Sequence, residues 1–165
     1  MFELKKLSRD GVAVALEKAE RYRLLNEPWE AESICRDVLE VDPENRRARV
    51  VLILALSDQL RFPNAPRVAE VRALADALPE PYERAYYNGI ICERHGKARL
   101  ARGGPGSGAV AYDWLRQAMD WYQEAGSLRP AGDESAVLRW NTCARLIDRY
   151  EHVAPAAEQP ETMLE

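Results

Sequence analysis

Histidine is nearly missing from this chain: His95 and His152 are the only two among 165 residues. Proton transfer near neutral pH draws first on histidine, and no nucleophile elbow, paired-carboxylate motif or cofactor fingerprint stands in for it. The chain therefore reads as non-catalytic, with no catalytic residue and no cofactor expected. Cysteine is scarce too. Cys35, Cys92 and Cys143 are an odd number, one per expected helix, which suits reduced thiols packed as small apolar groups better than a disulfide framework. Cys92 and His95 stand three apart, but a structural zinc site takes four ligands and only Cys143 and His152 could join them. No metal site is expected.

Long apolar runs are also lacking. No stretch approaches the roughly 18 apolar residues of a membrane span, and Met1 to Leu7 lacks the apolar core of a secretory signal, so a cytoplasmic protein with no membrane partner is expected. Charge of one sign is not in excess: 23 basic against 27 acidic residues leave a net of −4. No global field draws the chain to nucleic acid, and any such contact must be local.

What is present is material for one helical domain, 47% hydrophobic, enough for a sizeable core. Ser8 is placed to cap a first helix to about Leu25, with Val12, Leu16, Ala19 and Tyr22 on one face. Pro28 suits the first turn of a second helix carrying Trp29, Ala31, Ile34, Cys35, Val38 and Leu39. A third helix, about Glu44 to Leu60, is apolar all round through Val50 to Leu56, which predicts burial between neighbours. A fourth carries Val68, Val71, Leu74, Ala75 and Leu78. A fifth starts near Tyr82 and lines up Ala85, Gly89, Cys92 and Gly96, small residues that let another helix come close. Four glycines and a proline between Gly103 and Gly108 predict a flexible loop. A sixth helix follows from about Ala109 to Gly126, and Asp133 is placed to cap a seventh with Ala136, Trp140, Cys143, Ile147 and Tyr150 on one face. The expected domain is 1–152, with 153–165 a disordered tail.

Three segments repeat one spacing of four, three and five: Ala31-Cys35-Val38-Pro43, Ala69-Ala73-Asp76-Pro81 and Ala118-Tyr122-Ala125-Pro130. A repeated internal spacing marks stacked helix pairs that bury their apolar faces on one another. With Ala19 and Tyr22 before Ala31, the Asn26 to Ala31 turn, and Gly89 before Ala118, these pairs resemble the tetratricopeptide repeat. Pro43 to Pro81 exceeds that family's period of about 34 residues by about four, and Pro81 to Pro130 by about fifteen, an insertion best placed in a long fifth helix and the glycine loop. The resemblance implies an all-α, right-handed superhelix of about seven helices, three pairs and a capping helix.

It further implies a scaffold that holds a partner protein or peptide on its concave face, lined by the first helix of each pair. Carried onto this chain, that face offers Arg47, Val50 and Leu54 from the third helix, Tyr86, Ile90, Glu93 and Arg94 from the fifth, and Asn141 and Arg145 from the seventh. Leu16, Glu20 and Val51 fall where the family's chaperone-binding members need polar groups to clamp a terminal carboxylate, so a different ligand is expected. The alternative reading is binding of an anion or nucleic acid by Arg94, His95, Lys97, Arg99 and Arg102 together with the glycine loop, although the loop lacks the Gly-Lys-Ser/Thr ending of a nucleotide-binding loop. Arg46, Arg47 and Arg49 form a second basic cluster. Self-association through open helix faces is a third reading.

Overall fold

The computed structural model describes residues 2–156, and among these every regular element is helical. A 3₁₀ turn, Arg9–Gly11, leads into α1 (Val12–Leu24), followed by α2 (Pro28–Val41), α3 (Arg46–Gln59), α4 (Val68–Asp76), α5 (Pro81–Arg102), α6 (Ser107–Leu128) and α7 (Ser135–Arg149). The helix boundaries follow local chemistry. Pro28 and Pro81 occupy first-turn positions, where the missing donor costs nothing, and the Asn45 side chain accepts from the Ala48 amide at 2.9 Å, capping α3. Ser8 precedes the 3₁₀ turn without a side-chain cap bond, so α1 lacks the expected hydroxyl cap. Asp133 lies one residue before the cap position of α7 but still accepts from the Ser135 amide, at 2.9 Å.

Each helix packs on its neighbour in sequence, and α1 also touches α3 while α3 touches α5. α1, α3 and α5 therefore adjoin in series, while α7 packs on α6 and reaches α5 through the Arg139–Glu93 contact. Two apolar clusters result. One gathers Leu16, Ala31, Cys35, Val38, Ile53, Leu56, Val71, Leu78 and others from α1 to α4, with Ile91 of α5. The other gathers Ala85, Cys92, Leu115, Ala118, Tyr122 and Cys143 from α5 to α7, and Tyr87 packs against both. Buried Val51, Leu52, Ile53, Ala55 and Leu56 make α3 the centre of the first cluster, as its all-round apolarity predicts.

The middle repeat segment sits in another register. Ala69, Ala73 and Asp76 are exposed, and α4 buries Val71 and Ala75 instead, with Leu78 buried just beyond its end. These keep the four-and-three spacing of Ala31-Cys35-Val38 and Ala118-Tyr122-Ala125, slipped by two residues. Two positions turn a helix by about 200°, so the slip exchanges the buried face for the exposed one. In the first and third segments all six corresponding residues are buried.

The extra length is spent on the α5–α6 pair, two helices of 22 residues each joined by a short glycine turn. Their crossing depends on glycine. A Cβ on Gly89 would stand 2.5 Å from the Tyr122 ring, and one on Gly96 would stand 3.2 Å from Trp114, so the two helices run antiparallel at close approach. The glycine loop is shorter than the sequence suggests. Ser107 and Gly108 belong to α6, and Gly108 is buried where a Cβ would collide with the His152 carbonyl. Val153 is also buried, within the second cluster. The expected tail therefore does not begin there, and its last nine residues, 157–165, lie outside the described residues.

Candidate binding groove

A cavity of about 460 Å³ is lined by residues of α1, α3, α5 and α7. Arg23 comes from α1 and Asn26 from the turn after it. α3 supplies Ser57 and Asp58, with Arg61 just beyond. α5 supplies Glu93, Arg94, Lys97, Ala98 and Ala101, and α7 supplies Arg139. Five of these come from α5 at helical spacing, Glu93 to Lys97 and Lys97 to Ala101 being one turn apart.

Two carboxylates organise the cations. Asp58 lies between two arginines, accepting from Arg23 Nε at 2.7 Å and pairing with an Arg94 guanidinium nitrogen at 2.9 Å. Arg94 also donates to the Leu54 carbonyl at 3.0 Å and to Ser57 Oγ at 2.5 Å, so its guanidinium is anchored to the end of α3. Burial draws the Arg94 pKa down while Asp58 opposes that effect; the guanidinium stays cationic. Glu93 is fully buried. It accepts from Lys97, from Tyr122 Oη at 2.6 Å and from Arg139 at 3.2 Å. Burial alone would raise its pKa; the hydrogen bonds from Lys97 and Tyr122, with the charges of Lys97 and Arg139, outweigh that and hold it below the usual carboxylate range.

The lining thus carries five cations (Arg23, Arg61, Arg94, Lys97, Arg139) against two carboxylates, a positive face on a chain of net charge −4. A low-dielectric wall focuses that surplus. A second cavity of about 430 Å³ shares Arg23 and continues along α1 and α3 through Glu20, Leu24, Arg46, Arg47, Val50, Val51, Leu54 and Tyr87. There Arg47 makes a two-bond pair with Glu20 at 2.7 and 2.9 Å, and its hydrogen bond holds the Glu20 pKa down. Arg46 pairs with the buried Glu83 of α5.

Five of the residues expected from the sequence fall in these cavities: Glu93 and Arg94 in the first, Arg47, Val50 and Leu54 in the second. Ile90 is buried in the second core, against which Leu54 of α3 also packs, and lines neither cavity. Tyr86 is half-buried in an aromatic cluster, stacked on Tyr82 at 5.7 Å and edge-on to Tyr87 at 5.4 Å. Asn141 and Arg145 line neither cavity; α7 presents Arg139 instead. The signal for Arg139 was legible: it lies three residues after Ala136 and four before Cys143, on the face that α7 buries. Arg23 and Asp58 carried no such signal, being 35 residues apart and joined only by the stacking of α1 on α3.

The basic stretch of α5 does not form one surface. Arg94 and Lys97 enter the groove, Arg102 donates to the Leu60 and Phe62 carbonyls at 3.2 Å, and His95 turns to α6, edge-on to Trp114 at 4.5 Å. Arg49 of the second basic cluster is tied to Glu44 and the Pro43 carbonyl. Trp114, Trp121 and Trp140 do not converge: Trp121 lies under Arg72, and Trp140 borders a separate cavity with Tyr122 and Val137. Among the described residues no three His, Cys, Asp or Glu side chains cluster as a metal would require, and no helix is long and apolar enough to cross a membrane. No family model matches the chain, and no curated protein or solved structure matches it significantly.

Proposed function

We propose that this chain is a tetratricopeptide-like stack of helix pairs that binds a partner protein, without catalysis, on the face of its odd-numbered helices, and that the segment it holds is acidic. The supporting observation is the cavity built jointly by α1, α3, α5 and α7, lined by five cations and two carboxylates. Partner carboxylates would share Lys97 and Arg139 with Glu93 and meet Arg61, which is held by Asn26, while Arg23, Asp58 and Arg94 stiffen the wall. A cytoplasmic location belongs to the same reading and is supported by three buried, unpaired thiols.

Site-specific photo-crosslinking in the native cell tests this. A crosslinker at Ala101, exposed on the groove, is compared with one at Ala73, exposed on α4. The expected result is a protein partner captured from Ala101 alone and lost with rising salt. Equal capture from both positions, no capture, or capture of nucleic acid from Ala101 would overturn the reading.

A further inference from the structure

We infer that the groove continues onto an aromatic shelf, Trp29 with Phe62, and that the segment bound there carries a large apolar side chain next to its acidic residues. This deepens the proposed interaction function and rests on it. Trp29 is 46% exposed although it begins an α-helix whose other apolar residues face the core. Its ring packs on Phe62 with centroids 4.7 Å apart and planes tilted by 49°, a contact that leaves part of the indole open to solvent. Arg61 joins this shelf to the groove. Its guanidinium carbon lies 4.8 Å from the Phe62 ring centroid, its terminal nitrogen donates to the Asn26 side chain, and both Arg61 and Asn26 line the cationic cavity.

The juxtaposition selects a chemistry. Surplus cations take carboxylates, and the exposed aromatic surface beyond Arg61 takes an indole, phenyl or branched aliphatic group whose burial costs no polar partner. Cations beside aromatics also suit single-stranded nucleic acid. Here, however, a phosphate chain in the cavity would face Asp58 and Glu93, whereas separately spaced carboxylates avoid them. An acidic segment with an apolar anchor fits both halves.

The test uses the full chain and two dye-labelled synthetic peptides, one with four glutamates and one tryptophan, the other with glycine in place of the tryptophan. Fluorescence anisotropy at low salt is expected to show about tenfold tighter binding of the tryptophan peptide. The double variant Trp29→Ala, Phe62→Ala should erase that difference and leave the glycine peptide unchanged. A second readout needs no variant protein in the titration: the indole NMR resonance of Trp29, assigned with Trp29→Phe, should shift with the tryptophan peptide and not with the glycine peptide. Equal affinities, a difference that survives in the double variant, an unmoved Trp29 resonance, or displacement of the peptide by a single-stranded oligonucleotide of equal charge would each overturn the inference. Failure of both peptides to bind would overturn it as well, while the interaction reading stands or falls separately on the Ala101 and Ala73 crosslinks.

Discussion

Tyr122 of α6 donates its hydroxyl to the buried carboxylate of Glu93 at 2.6 Å, and the same ring fills the space left by the missing side chain of Gly89, one turn earlier on α5. One aromatic residue therefore fixes the α5–α6 crossing and holds the anion that positions Lys97 and Arg139 in the groove. Burial, followed by the adjacent Glu93 charge, pushes the phenol pKa far up, which favours the protonated, donating form.

Tyr122→Phe keeps the ring and removes the donor. A hydrogen bond to a buried charged group contributes about 2 kcal/mol, which in a chain of this size lowers the melting temperature by about 5 °C. Circular dichroism melts of the two proteins check this, and an unchanged melting temperature would remove the hydrogen bond from the account of the crossing.

Glu93 makes stability depend on pH in a defined direction. Its folded pKa lies below the ordinary carboxylate value of 4.5, so between the two the unfolded chain binds more protons and stability falls with acid. The contribution is fully present above about 4.5 and is lost as pH drops through the folded value. Glu20 and Asp133 act in the same sense, so the comparison with Glu93→Gln isolates this group. Urea unfolding from pH 6 downward should show the stability gap between wild type and variant widest at the top and closing below about 4.5.

The register of α4 predicts opposite outcomes two residues apart. Ala73→Glu, on the exposed side, should change stability by no more than about 0.5 kcal/mol. Ala75→Glu places a charge in the core and should cost more than about 3 kcal/mol. Denaturant titration of both distinguishes the observed register from the one in which Ala69, Ala73 and Asp76 face inward.

The thiols should be inert in the folded chain. Burial pushes Cys35 and Cys143 up to about 12 and Cys92 up to about 11, and all three are buried and unpaired. Alkylation at about pH 8 should leave the native protein unmodified and label all three cysteines once denaturant is added. Rapid labelling of the native chain would show local opening of the core around the modified thiol.

Much of the fold was legible locally. The 3.6-residue periodicity of Val12-Leu16-Ala19-Tyr22, the prolines at helix starts and the small residues Gly89 and Gly96 each report a constraint within one or two turns, and each holds in the structure. The second repeat segment misled because alanine is at home on either side of a helix: Ala69 and Ala73 satisfied the spacing, while the branched Val71 and Leu78, which have more apolar area to bury, took the core. In the groove, Arg47, Val50, Leu54, Glu93 and Arg94 could be placed by assuming that first helices share a face. Tyr86 and Ile90 share that side of α5, two turns before Glu93 and Lys97, but tertiary packing takes them into the aromatic cluster and the second core, which spacing along one helix does not report.

The sequence by itself determined the seven helices, their approximate ends and the apolar stripe of each, because those depend on residues within about four positions of one another. Only the tertiary structure decided which charges meet. Arg23 reaches Asp58 across 35 residues, Arg139 reaches Glu93 across 46 and Tyr122 reaches it across 29, distances over which periodicity carries no information. The sign of the groove follows from those pairings: helix stacking puts five cations and two carboxylates around one cavity in a chain whose overall charge is negative.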